Sequence, residues 1–176
     1  RIGVLGAGAW GSALAHVARS AGHEVHVWSR GMALEPLGGS QAAILAVPAQ
    51  GVREVLSGLK SIVTNRFPLI ISAKGIEQGT GLFMNEVVAE VLPQAEPLVL
   101  SGPSFAADVM KGLPTAVVMA AAKLSDARRF AEALSLPHFR IYASDDMKGV
   151  EIGGALKNVL AIACGISDGR GLGDSA

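Results

Sequence analysis

Cysteine is almost absent from this 176-residue chain: Cys164 stands alone. That excludes an intrachain disulfide and a cysteine-rich metal site, and it is compatible with a reducing cytoplasm. His16, His23, His26 and His138 share no ligand spacing, so no metal site is expected. Charge is also scarce. Lys, Arg, Asp and Glu make up 17% of the residues, against roughly 25% in an average soluble protein. Fifteen basic residues balance 15 acidic ones, so nothing electrostatic points to nucleic acid or an anionic membrane. No uninterrupted apolar run is long enough to span a bilayer, and no membrane insertion is expected. No secretory signal is visible, although the string lacks a starting Met and begins inside its first strand.

What is present is apolar bulk and glycine. Half of the residues are apolar, enough for one large core and for an apolar face turned toward something outside the string. The strongest local pattern is Gly6-Ala7-Gly8-Ala9-Trp10-Gly11. An apolar strand, residues 1–5, precedes it, and a helix of small residues, 11–21, follows and stops at Gly22. Gly6 permits the sharp turn, Gly8 lets a pyrophosphate reach the backbone, and Gly11 packs the helix on the strand. Free N–H groups at the helix start then face the phosphates. A second strand, residues 24–28, completes a βαβ unit, the context that makes this pattern a dinucleotide-binding signal.

The end of that second strand bears on which nicotinamide cofactor fits. NAD-specific folds place an acid there for the ribose 2′-hydroxyl. Here the strand runs into Ser29-Arg30, and a guanidinium can hold a 2′-phosphate. NADP is therefore accepted, with an exposed loop arginine as the bland alternative. Only residues 31–40 separate this strand from the next, 42–47. Ten residues cannot supply the helix, strand and helix that a doubly wound half needs, and we expect residues to be missing between 30 and 41.

The later chain alternates strands (69–72, 98–100, 115–120, 139–142) with helices (51–59, 81–92, 125–134). Lys74 follows the strand 69–72, on the side where open α/β sheets bind ligands. Ser101-Gly102-Pro103-Ser104-Phe105-Ala106 joins a turn to a helix expected to start at Pro103, with Ser104 in its first turn either as a cap or closing on ligand. Ser144, Asp145 and Asp146 read as a helix start, not as catalytic acids. Residues 149–165 then read as one largely buried helix with an apolar stripe at Leu156, Val159, Leu160 and Ala163. Cys164 reads as a packing residue. Lys157 faces Gly153, Gly154, Ala161 and Cys164, all small, so ligand and protein can enclose its ammonium. The alternative is a lysine snorkelling from a core helix.

These strings, together with Ala73-Lys74-Gly75-Ile76-Glu77, Gly112-Leu113-Pro114-Thr115-Ala116 and Glu151-Ile152-Gly153-Gly154-Ala155-Leu156-Lys157-Asn158-Val159, resemble the bacterial-type NAD(P)-dependent glycerol-3-phosphate dehydrogenases over almost the whole chain. The resemblance implies a Rossmann-type doubly wound parallel sheet at 1–143 and the start of an all-helical substrate domain at 144–176. It implies interconversion of dihydroxyacetone phosphate and sn-glycerol 3-phosphate with NAD or NADP, feeding phospholipid synthesis, by a cytoplasmic homodimer. Carried over residue by residue, Ala9, Trp10, Arg30, Lys74 and Ala106 contact cofactor beside Gly6, Gly8 and Gly11. Lys74, Gly102, Ser104 and Lys157 contact substrate, and Lys157 transfers the proton with Lys74 assisting. The family continues past Ala176 with residues that complete the pocket. Two other readings stay open: another two-domain dehydrogenase acting on a hydroxy acid or polyol, and a non-catalytic NADP-binding sensor.

Overall fold

Neighbouring apolar residues in a strand point to opposite sides of a sheet, so a strand apolar throughout must be covered on both. The computed structural model, which describes residues 1–173, meets that demand. β1 (Ile2–Leu5) sends Val4 into one core and Leu5 into the other. β3 (Ala42–Leu45) divides Ile44 from Leu45, and β4 (Phe67–Ile71) divides Ile70 from Ile71, in the same way. Burying each such side chain stabilises by roughly 1.5–3 kcal/mol. On one face lie α1 (Ala9–Ser20) and α5 (Leu124–Leu134); on the other lie α2 (Val52–Leu59) and α3 (Met84–Val91). The remaining elements are β2 (Val25–Trp28), β5 (Ala95–Ser101), α4 (Ala106–Met110), β6 (Thr115–Ala121), β7 (Phe139–Ser144) and α6 (Met147–Arg170).

The strand order is β2-β1-β3-β4-β5-β6-β7. Every neighbouring pair is parallel except β5 and β6. This is the expected Rossmann-type sheet. β2 and β3 flank β1, so the chain crosses β1 between Ser29 and Gln41 with only a 3₁₀ turn, Glu35–Gly39, on the way. Leu37 is buried in that crossing, and a Cβ on Gly3 would come within 2.6 Å of its Cδ2. A bare backbone at Gly3 lets so short a crossing lie flat on the strand.

Two expectations need correction. Pro103 and Ser104 do not start a helix: α4 begins at Ala106. The residues between must first turn away from β5, which leaves Pro103 and Ser104 in the loop. The long helix exists, and Asp146 caps it by accepting the Gly149 N–H at 2.8 Å, but it is not buried. Glu151 is its one buried residue among those described, while Leu156, Val159, Leu160, Ile162 and Ile166 stand in solvent and Cys164 is exposed. The helix leaves the sheet after its first turns, and none of the described residues covers the rest. By length and composition alone α6 is also apolar enough to cross a membrane, although Lys157 and Asn158 interrupt it. Its leucines, isoleucines, valines and alanines raise the mean hydropathy, and its glycines do not.

Candidate functional site

Ligands of such sheets gather beyond the carboxyl ends of the strands, where β1, β3, β4 and β5 open into loops. Gly6 leaves β1 with φ of 116° and passes so close to β3 that a Cβ would stand 2.6 Å from the Ala46 carbonyl oxygen. A Cβ on Gly11 would collide with the Gly6 carbonyl oxygen. Around Gly8 the reverse holds, with nothing within 4 Å of a Cβ. Two glycines thus close the turn and the third leaves it open toward the start of α1, which carries no side-chain cap and no acid in its first turn. Uncapped N–H groups beside an open glycine fit a pyrophosphate.

A cavity of about 820 Å³ runs from Gly6, Ala7 and Gly8 past Trp28, Ser29 and Arg30 to Gln50 and Glu54. That volume lies within the range of small-molecule sites. Arg30 is exposed on its wall and makes no ion pair among the described residues. Ala9 is exposed at the start of α1, and Trp10 is half-buried. The Trp10 indole N–H is buried without a partner, and its ring lies 5.6 Å from the Lys74 ammonium. Ala106, first residue of α4, packs against the same apolar core as Trp10.

The second half of the site is built around Gly102. Its carbonyl oxygen accepts from Lys74 Nζ at 3.0 Å and from Ser104 Oγ at 3.3 Å. A Cβ on Gly102 would press on Val117 Cα at 2.9 Å, so the loop follows β6 at backbone distance. Lys157 lines a cavity of about 380 Å³ with Ser101, Gly102, Gly153 and Gly154, and its Nζ donates to Asn158 Oδ1 at 2.8 Å. Burial, and then the positive charge of Lys157, hold the Lys74 ammonium below its usual pKa. Lys74, on the rim of the sheet, is half-buried, whereas Lys157 is exposed on α6. The structure brings Lys74, Gly102, Ser104 and Lys157 together. Arg30 lies apart from them and shares the larger cavity with Gly8.

Sequence reasoning missed the braces. Gln50 Nε2 donates to the Ile76 carbonyl at 2.9 Å, and Gln50 Oε1 accepts from the Gln78 N–H at 2.9 Å. One turn on, Arg53 grips Glu77 with two hydrogen bonds, at 2.8 and 2.9 Å, and reaches Glu90. The Arg53 fork, with Thr80, holds the Glu77 carboxyl down to about 2. The loop after Lys74 is thus tied by two side chains to the 3₁₀ turn Ala49–Gly51 and to α2 that follows it. The available signal was Gln50 and Arg53, three residues apart just past the carboxyl end of β3. Among the described residues no cluster of His, Cys, Asp or Glu has the form of a metal site.

The family models described as NAD-dependent glycerol-3-phosphate dehydrogenase N-terminus and C-terminus match residues 1–35 with 33–127, and 146–176, respectively. A protein of Methylobacterium radiotolerans named glycerol-3-phosphate dehydrogenase (NAD(P)+) is 49% identical over 205 residues, covering 99% of this chain and 62% of the relative. One from Rhodopseudomonas palustris with the same name is 46% identical over 203 residues, with the same coverage. The crystal structure of glycerol-3-phosphate dehydrogenase from Coxiella burnetii superposes with a TM-score of 0.88 at 34% identity, covering 99% of this chain and 62% of that one. The chain thus spans 62% of the length of these relatives.

Proposed function

This chain belongs to the NAD-dependent glycerol-3-phosphate dehydrogenase family, and on that premise we propose that the protein interconverts dihydroxyacetone phosphate and sn-glycerol 3-phosphate with NAD or NADP. The product supplies phospholipid synthesis in the cytoplasm, and the enzyme is a homodimer. Residues 1–143 form the dinucleotide-binding domain, and 144–176 open a helical substrate domain; of these, 174–176 lie outside the described residues. The Methylobacterium radiotolerans relative aligns over 205 positions against 176 residues here, and the N-terminal family model matches in two pieces that meet at residues 33–35; together these support residues missing between 30 and 41. The substrate domain, not lipid, covers the apolar faces of α6.

One observation carries the reading. Lys74 and Lys157 come from elements remote in sequence and converge beside Gly102, near enough for the charge of one to depress the pKa of the other. Two ammonium groups side by side suit a substrate with a phosphate and a carbonyl that becomes an alkoxide. When bound, the nicotinamide supplies or accepts the hydride. The chain orients and neutralises. The Gly6–Gly11 loop, with Ala9, Trp10 and Ala106 beside it, holds the cofactor's phosphates and nicotinamide end, and Arg30 pairs with a 2′-phosphate. Gly102 and Ser104 hold substrate. Lys74 turns positive charge on the carbonyl oxygen or phosphate, and Lys157 gives that oxygen a proton in reduction and takes it back in the reverse direction.

The test is NADPH oxidation with dihydroxyacetone phosphate, using the full-length polypeptide. Turnover is expected. Tight NADPH binding with no turnover on any ketone would make the protein a sensor. Turnover only with a different hydroxy acid or polyol would assign it to another dehydrogenase.

A further inference from the structure

Helix α6 inverts the usual rule of burial. Its large apolar side chains stand in solvent, and its one buried residue among those described is an acid, Glu151, 6% exposed. That acid meets the start of α3. Glu151 Oε1 accepts the Asn85 N–H at 2.9 Å, and the Met84 N–H also turns to the carboxylate. These are among the first N–H groups of α3, which no bond within that helix can satisfy. The preceding N–H, of Phe83, is taken by Glu86 Oε2 at 2.9 Å. Glu151 therefore completes, from another element, the cap that α3 begins for itself. Nearly one turn further along α6, a Cβ on Gly154 would stand 2.5 Å from Ser101 Oγ and 3.6 Å from Lys74 Cγ. Lys157 follows after three more residues, on the cavity shared with Gly102.

We propose that Glu151 is a positioning residue: by capping α3 it clamps α6 to the nucleotide-binding sheet and so sets Lys157 against Lys74 and Gly102. A clamp matters at this point because side-chain packing is thin: Gly154 lies against Ser101 and Met147 and Val150 are half-buried, but the helix has no other buried side chain among those described. A hydrogen bond to a fixed helix terminus is directional where apolar contact is not, so it fixes the height of α6 as well as its distance. The charged groups around the carboxylate are Glu86, which repels it, and Lys148, which attracts it and lies 3.9 Å from Glu86 Oε1. Among the described residues Glu151 makes no hydrogen bond or ion pair to either lysine of the site, and it acts through the helix. The proposal rests on the functional reading only for what Lys157 does once it is placed.

Three readouts in the full-length polypeptide test it: exchange of the Asn85 amide proton, the pH at which Lys74 becomes reactive to an amine-acylating reagent followed by mass spectrometry, and turnover. In Glu151→Ala, Asn85 exchange should accelerate by roughly 2- to 30-fold, the worth of a helix-capping acceptor. Lys74 should titrate at higher pH, because the neighbouring Lys157 charge is no longer held beside it, as it should in Lys157→Ala. NADPH affinity should stay within about twofold while turnover falls about tenfold or more. Glu151→Gln keeps an acceptor for the Asn85 N–H and should preserve all three readouts. Unchanged Lys74 titration in Glu151→Ala would overturn the proposal, and so would a Glu151→Gln variant whose Asn85 exchange accelerates and whose turnover falls about tenfold relative to the parent, which decides the matter even if Glu151→Ala does not fold. If exchange and titration respond as stated but no variant turns over, the clamp stands and the dehydrogenase reading falls.

Discussion

At the scale of single residues, Arg30 and Lys157 carry the sharpest expectations. Arg30 lines the glycine-loop cavity with no acid paired to it, although Glu54 shares that wall. Arg30→Asp should weaken NADPH far more than NADH, by roughly 10- to 150-fold for one charge-assisted bond. Fluorescence titration with both cofactors checks this, and equal losses would reject the assignment. Lys157→Ala should bind NADPH normally and lose about 10²–10⁴ in turnover, the usual worth of a positioned acid. Lys157→Arg should recover little, because a guanidinium hardly releases a proton; near-normal turnover of that variant would move proton transfer to another group. Both residues were legible in the sequence because each breaks a local pattern, Arg30 by standing where an acid is usual and Lys157 by facing only small neighbours. The partial burial of Lys74 was not legible. It depends on the Trp10 ring and the Gly102 carbonyl, which come from segments far away in the chain.

At the scale of elements, the turn after β1 and the seat of α6 respond to different changes. Gly6→Ala forces a side chain into a left-handed backbone and against the Ala46 carbonyl, so it should cost roughly 1–3 kcal/mol in urea denaturation. The seat of α6 responds to pH. Burial raises the Glu151 carboxyl from 4.5 to about 7. Between those values the folded state holds a proton that the unfolded state releases, so this group removes stability as pH rises through that window, and the loss is complete above it. Glu151→Gln should match the parent near pH 4 and exceed it at pH 8 by on the order of 1–3 kcal/mol. A parent whose advantage over the variant grows with pH would contradict the assignment. The elements themselves were largely readable, since strands apolar throughout and helices of small residues leave few alternatives. The burial of α6 was misread because periodicity reports how apolar a helix is, not whether anything lies against it.

At the scale of the whole molecule, strands with neighbours on both sides and helices on both faces should be the last to open. Amide exchange should be slowest in β3 and β4 and much faster in α6 beyond Lys157, where the side chains are exposed. Equal protection in the two regions would contradict this picture of where the core lies. The parallel sheet was readable from the chain, but the antiparallel pairing of β5 with β6 was not, because strand direction leaves no trace in local composition. That single reversal decides where α6 is delivered. After a parallel strand, a helix sets off from the carboxyl rim and travels back toward the opposite end of the sheet. β7 runs against β5 and ends level with Val99, below the last residue of that strand. The helix that follows can therefore climb instead of descend, passing Ser101 and Gly102 with Lys157 and leaving the sheet on the cofactor side. The inverted pair β6 and β7 acts as a routing switch: it sends α6 to the rim where the glycine loop waits, without a long connecting segment.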